Sequence, residues 1–164
     1  MLKIDKFVCI RTGDAAPDFT GTTLDGKSFK LSELKGKVVL LGFWATWCTP
    51  CLAEVPGIRK AVDRFGKDGR FTVVGISLDT GEQSVRAIVE KFGMNWPHLV
   101  LGPAEENPVA KLYGVSGIPA MFLIDADGTV VASDLHGEAL HKELAERLEV
   151  DPQAVSRERQ GDRP

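Results

Sequence analysis

Cys48 and Cys51 stand close together in the run GFWATWCTPCLAEVP (residues 42–56), with only Thr49 and Pro50 between them. The chain has 3 cysteines in 164 residues, so the pair is not a by-product of a cysteine-rich composition. Thiols at this spacing either pass between dithiol and disulfide or supply half of a metal site. A structural zinc site takes four ligands. The other candidates, Cys9, His98, His136 and His141, include no second pair at close ligand spacing, and no metal is expected. Copper carriage by the reduced pair stays open, although the segment GVSGIPAM (114–121) contains no histidine. Glu54, three residues after Cys51, lies on a neighbouring helical face. It either accepts the Cys51 proton as that sulfur attacks a mixed disulfide or complements the helix dipole as a first-turn acid.

Two elements must hold this pair. Val38 to Trp44 (VVLLGFW) is a near-continuous apolar run, the mark of a strand covered on both faces. A helix begins near Thr49 or Pro50, since proline suits the first turn, where its missing N–H is not needed. Unpaired N–H groups and the positive end of the dipole therefore point at Cys48, a location that lowers a thiol pKa from about 8.5 toward neutrality. Leu52, Val55, Ile58, Val62 and Phe65 form an apolar stripe, so Cys51 at its border should be the more buried thiol. An exposed attacking thiol and a buried resolving thiol make a redox couple. Pro56-Gly57 predicts a break in that helix.

The rest of the chain alternates apolar runs with amphipathic stretches. Phe71 to Leu78 and Met121 to Ile124 read as further buried strands, and Asp125-Ala126-Asp127-Gly128 turns the latter into Thr129 to Ala132 as a hairpin. Val85, Ile88, Val89 and Phe92 form a second helical stripe closed by Gly93, Asn107-Pro108 opens a short helix to Tyr113, and Leu140, Leu144 and Leu148 mark a last one. This is an α/β pattern with a mixed sheet. Residues 1–14 read as an extension, 15–150 as one domain and 151–164 as a loose tail. A charge of −3 without basic clusters argues against a nucleic-acid surface, and no apolar stretch nears the roughly 18 residues that span a membrane. Met1 to Asp14 lacks the apolar core of a signal peptide. That leaves a cytoplasmic chain or one whose leader was removed. His98, His136 and His141 read as surface or loop residues, and Cys9 as incidental.

From about Ala16 to Leu148 the chain resembles thioredoxin-fold thiol-disulfide oxidoreductases of the TlpA/ResA type, within the redoxin or AhpC/TSA-like superfamily. The resemblance rests on Ala16-Pro17-Asp18-Phe19, on Leu24-Asp25-Gly26-Lys27 with Leu31 to Lys37, on Trp-Ala-Thr-Trp-Cys-Thr-Pro-Cys, and on Gly117-Ile118-Pro119 before Phe122 to Asp125. It implies a thioredoxin-like fold, a central mixed sheet flanked by helices, with a helix and strand inserted between the CxxC half and the cis-proline half, over Glu82 to Leu112. It implies a cis Ile118-Pro119 bond facing the cysteines, where the Ile118 backbone pairs with a substrate segment. Trp47, Thr49 and Pro50 would complete the substrate face, and Glu54 would assist proton transfer. Gly42 and Ala120 depart from the family pattern, which bears on the substrate face.

The implied activity is reduction of protein disulfides by reversible Cys48–Cys51 exchange, as in cytochrome c maturation or related extracytoplasmic tasks. It uses no cofactor beyond that disulfide and an upstream membrane or thioredoxin-type reductant, and a monomer is expected. A thiol peroxidase is the alternative, since the Ala16 to Lys37 stretch is shared with peroxiredoxins. That family places a threonine where Ala45 stands. Neither Thr49 nor Pro50 is cationic, so the couple should be reducing, below about −220 mV rather than near the roughly −120 mV of strong oxidants of this fold.

Overall fold

The computed structural model describes residues 10–148. Cys9 and the tail expected at 151–164 lie outside the described residues. In chain order the elements are β1 (Thr20–Thr22), β2 (Ser28–Lys30), a 3-10 turn at Leu31–Leu34, β3 (Val38–Trp44), α1 (Thr49–Phe65), β4 (Phe71–Ser77), α2 (Glu82–Phe92), β5 (His98–Val100), α3 (Pro108–Leu112), β6 (Ala120–Ile124), β7 (Val130–Ser133) and α4 (Gly137–Leu148).

Five strands form one sheet in the order β5-β4-β3-β6-β7. β3 runs parallel to β4 and antiparallel to β6, while β4 is parallel to β5 and β6 antiparallel to β7. The sheet is mixed, as the alternation of strands and helices requires. β3 is central and covered on both faces, which explains why its sequence is apolar throughout. Val38 and Leu40 pack with Ala61 and Phe65 of α1 and Leu140 and Leu144 of α4. Val39, Leu41 and Phe43 pack on the other face with Phe19, Phe29, Val109 and Tyr113. Fully burying one such side chain contributes roughly 1.5–3 kcal/mol.

Local chemistry fixes the ends of the elements that approach the cysteines. Gly93 closes α2 in the left-handed conformation at φ 64°, which glycine adopts without strain. Asn107 is fully buried and caps α3 by accepting from the N–H groups of Val109 and Ala110 at 3.1 and 3.0 Å. Its amide also donates to the Gly102 and Ser77 carbonyls, tying this loop to the end of β4. The expected break at Pro56-Gly57 is not observed: α1 runs from Thr49 to Phe65 with Pro56 inside it. Packing against α4 and the sheet outweighs the one hydrogen bond that proline removes. Between β4 and β6 the chain forms α2, β5 and α3.

Candidate functional site

β3 and β4 are parallel and in register, with Trp44 beside Ser77, so the loops that follow them meet at one end of the sheet. That is the end at which open α/β sheets build their sites. Asp79, just past β4, is buried and accepts from the Thr46 N–H at 3.0 Å, the Thr46 hydroxyl at 2.6 Å and the Ser77 hydroxyl at 2.7 Å. These bonds clamp the Ala45–Trp47 loop that leads into Cys48. Sequence reasoning missed Asp79, although an acid closing an apolar strand at the same end as the cysteine motif was a usable signal.

Cys48 is the N-cap of α1, Pro50 sits in the first turn, and Cys48 is disulfide-bonded to Cys51 with a Cα–Cα distance of 5.2 Å. The Cys51 N–H donates to Cys48 Sγ at 3.3 Å, so the helix terminus acts on Cys48 as its position predicts. One expectation is corrected here. Cys48 is not the exposed partner: both cysteines are 5% exposed. Bonding to Cys51 folds the Cys48 sulfur back over the first turn of the helix. The exposure of the loop falls on Trp47 at 68%, and on Thr49 and Pro50. Trp47 borders a surface groove of about 510 Å³ with Leu78, Thr80, Pro103 and Glu105.

Pro119 follows a cis peptide bond from Ile118, and both residues are half-buried at the start of β6. Cys51, Glu54, Pro119, Trp44 and Gly75 line one cavity of about 30 Å³ between α1 and the sheet. The structure thus gathers Cys51, Glu54 and Pro119 around one space, with Cys48 bonded to its edge through the disulfide. Glu54 is half-buried, and its Oε1 lies 3.3 Å from His136 Nδ1.

The histidines depart most from expectation. His98 is not a surface residue. It is 2% exposed, packed edge-on to Trp44 with the ring planes at 68° and tilted against Trp96. Burial pushes its pKa down to about 4, against a smaller upward pull from the Met94 carbonyl 3.1 Å from Nε2. A Cβ on Gly75 would collide with His98 Nδ1, so the glycine makes the room that the ring fills. His136 lies in the loop before α4 as expected, yet it has Glu54 as partner. His141 lies within α4 rather than in a loop, with Nε2 3.0 Å from the Gly57 carbonyl of α1. Among the described residues, no group of three or more His, Cys, Asp or Glu side chains could hold a metal ion.

Residues 12–133 match the AhpC/TSA family. The chain belongs to that family. Among curated relatives, the thioredoxin-like protein YneN of Bacillus subtilis is 33% identical over 150 residues, covering 89% of this chain and 84% of the relative. The thiol-disulfide oxidoreductase ResA of Bacillus thuringiensis is 34% identical over 136 residues, covering 83% and 76%. Among solved structures, the thioredoxin domain of a thiol-disulfide oxidoreductase from Bacteroides vulgatus superposes with a TM-score of 0.78 at 33% identity, over 85% of this chain and 99% of that one. The fold of this AhpC/TSA member is therefore thioredoxin-like, with a central mixed sheet flanked by helices.

Proposed function

We propose that this chain is a thiol-disulfide oxidoreductase that reduces protein disulfides, with Cys48 attacking and Cys51 resolving. The observation that carries it is the Cys48–Cys51 disulfide at the N-terminus of α1, with the Cys51 N–H on Cys48 Sγ. That asymmetry separates the roles. A thiolate at Cys48 gains a hydrogen bond and the helix dipole, whereas Cys51 is embedded in the helix beside the cavity.

Starting from the dithiol, the Cys48 thiolate attacks one sulfur of a substrate disulfide, forming a mixed disulfide and expelling the other substrate sulfur as a thiolate. Cys51 gives its proton to the Glu54 carboxylate and attacks Cys48 Sγ. The Cys48–substrate bond breaks, the two substrate thiolates take up protons from the Glu54 carboxyl and from water, and the protein retains the disulfide. Two electrons pass from protein to substrate. The exposed Trp47, Thr49 and Pro50, with Ile118 and Pro119, form the face against which an extended substrate segment would lie. No cofactor beyond the disulfide is needed, and an upstream membrane or thioredoxin-type reductant would restore the dithiol. The sequence resemblance supports an extracytoplasmic monomer. Among the described residues, no helix is long and apolar enough to cross a membrane. The relative ResA is named a thiol-disulfide oxidoreductase and YneN a thioredoxin-like protein, which favours this reading over a peroxidase.

Trapping tests it. Cys51→Ser should accumulate a substrate protein bound through Cys48, released by dithiothreitol, while Cys48→Ser should trap nothing and show no disulfide reductase activity. Equal trapping by both variants would overturn the assignment of roles.

A further inference from the structure

We propose that His136 is a positioning residue for this exchange, holding the Glu54 carboxylate in place for the Cys51 proton. The proposal rests on the reading of Glu54 as the proton acceptor.

His136 Nδ1 lies 3.3 Å from Glu54 Oε1, with the imidazole 42% and the carboxylate 28% exposed. The contact joins the loop before α4 to α1, and the backbone of that loop is shaped to make it. Asp134 adopts the left-handed conformation at φ 53°, uncommon for a residue other than glycine, and its N–H donates to the Met121 carbonyl at 2.8 Å. Gly137, directly after His136, is left-handed as well, at φ 53°. The two left-handed residues bracket Leu135 and His136. Backbone of this kind persists where the surroundings enforce it, and it clusters at functional sites. One turn into α4, His141 Nε2 meets the Gly57 carbonyl at 3.0 Å. The start of α4 is thereby fixed against the half of α1 that carries Cys51 and Glu54.

A glutamate at this exposure has a choice between the cavity beside Cys51 and bulk water. A cationic ring 3.3 Å from Oε1 restricts that freedom and leaves Oε2 as the open acceptor. The contact is an ion pair, formed when the imidazole carries its second proton, and it constrains the carboxylate by charge rather than by a directed hydrogen bond. In the resolving step the Cys51 proton passes to the carboxylate, the Cys51 sulfur bonds to Cys48 Sγ, and the substrate thiolate departs. His136 exchanges no proton or electron. It acts through Glu54.

The test separates the two halves of the reaction. Reduced protein is mixed with an oxidised fluorescent peptide disulfide, acid-quenched at intervals, and the mixed disulfide followed by mass spectrometry. His136→Ala should leave its formation unchanged and slow its resolution by up to about fivefold, the upper scale of an ion pair between partly exposed side chains. His136→Lys, which returns a cation near Oε1, should recover part of the loss, and His136→Asn, which is neutral, should not. In a Glu54→Gln background, His136→Ala should have no further effect. If Glu54→Gln slows resolution while His136→Ala does not, or if the two losses multiply, His136 has no role through Glu54 and the proposal falls alone. A slowing of both steps by His136→Ala would make the residue merely structural and overturn it as well. If Glu54→Gln leaves resolution unchanged, the reading of Glu54 fails and takes the proposal with it.

Discussion

The rim and the floor of the cysteine site are built from the same two kinds of side chain, used in opposite ways. At the rim stand Trp47, 68% exposed, and His136, half in solvent and paired with Glu54. At the floor stand Trp44, 6% exposed, and His98, 2% exposed, packed against each other with ring centroids 5.3 Å apart. Trp44 Nε1 and His98 Nδ1 have no hydrogen-bond partner there. An indole without a hydrogen bond and an imidazole bonded through Nε2 alone are serving largely as packing volume. The same groups at the rim keep their polar atoms available and their faces open. The difference lies in where charge and desolvation are cheap, and exchange chemistry belongs to the rim.

The sharpest way to break this comparison is to truncate the floor. Trp44→Ala should lower stability by about 3–5 kcal/mol in urea unfolding, the usual range for removing a buried tryptophan. A loss below about 1 kcal/mol would mean that the indole is not packing volume.

The next effect follows from pH. The His98 pKa falls to about 4 in the fold, whereas a free imidazole titrates near 6.5. Between these values the unfolded chain binds a proton that the folded chain refuses. Stability is therefore full above about pH 6.5 and declines as pH falls toward 4. The decline amounts to about 3 kcal/mol at roughly 1.4 kcal/mol per pH unit. Carboxylates held below their ordinary range, such as Asp127, lose their contribution at lower pH and do so in any variant. Urea midpoints of the wild type and of His98→Leu between pH 7 and 4 isolate the histidine. The wild-type curve should fall and the variant curve should stay comparatively flat, and parallel curves would contradict a neutral buried ring.

This contrast also marks what could be read from the sequence. β3, β4 and the CxxC helix were legible because each carries a long apolar pattern, and the structure returns β3 with the same bounds, Val38 to Trp44. The cis bond at Ile118-Pro119 came from resemblance and is present. His98 was misread because it follows Pro97 at the start of a strand of 3 residues, too short for periodicity. Its burial depends on Gly75, its partner across the β4–β5 pairing, which only the register reveals. The His136–Glu54 contact joins residues remote in sequence with no local pattern between them. Cys48 was judged exposed from its place at a helix terminus. In the disulfide-bonded fold Cys48 is 5% exposed, because it is packed between the Ala45–Trp47 loop and the helix, which a sequence does not display.

The smallest effect tests the rim directly. Trp47 follows Thr46, whose N–H and hydroxyl are held by Asp79, so its backbone is fixed while its ring lies in solvent. An exposed aromatic on a fixed loop loses little side-chain entropy when a partner covers it, which is why tryptophan recurs at binding hot spots. Trp47→Ala should change stability by less than about 0.5 kcal/mol, as expected of an exposed position. It should raise KM for a disulfide-bonded protein substrate about fivefold, near 1 kcal/mol of binding, with kcat almost unchanged. For a small disulfide such as oxidised glutathione, too short to reach the groove toward Pro103, the effect should vanish. A stability loss on the scale of Trp44→Ala would make Trp47 part of the floor. An equal KM change for both substrates would show that the ring governs access to Cys48 rather than the docking of a protein chain.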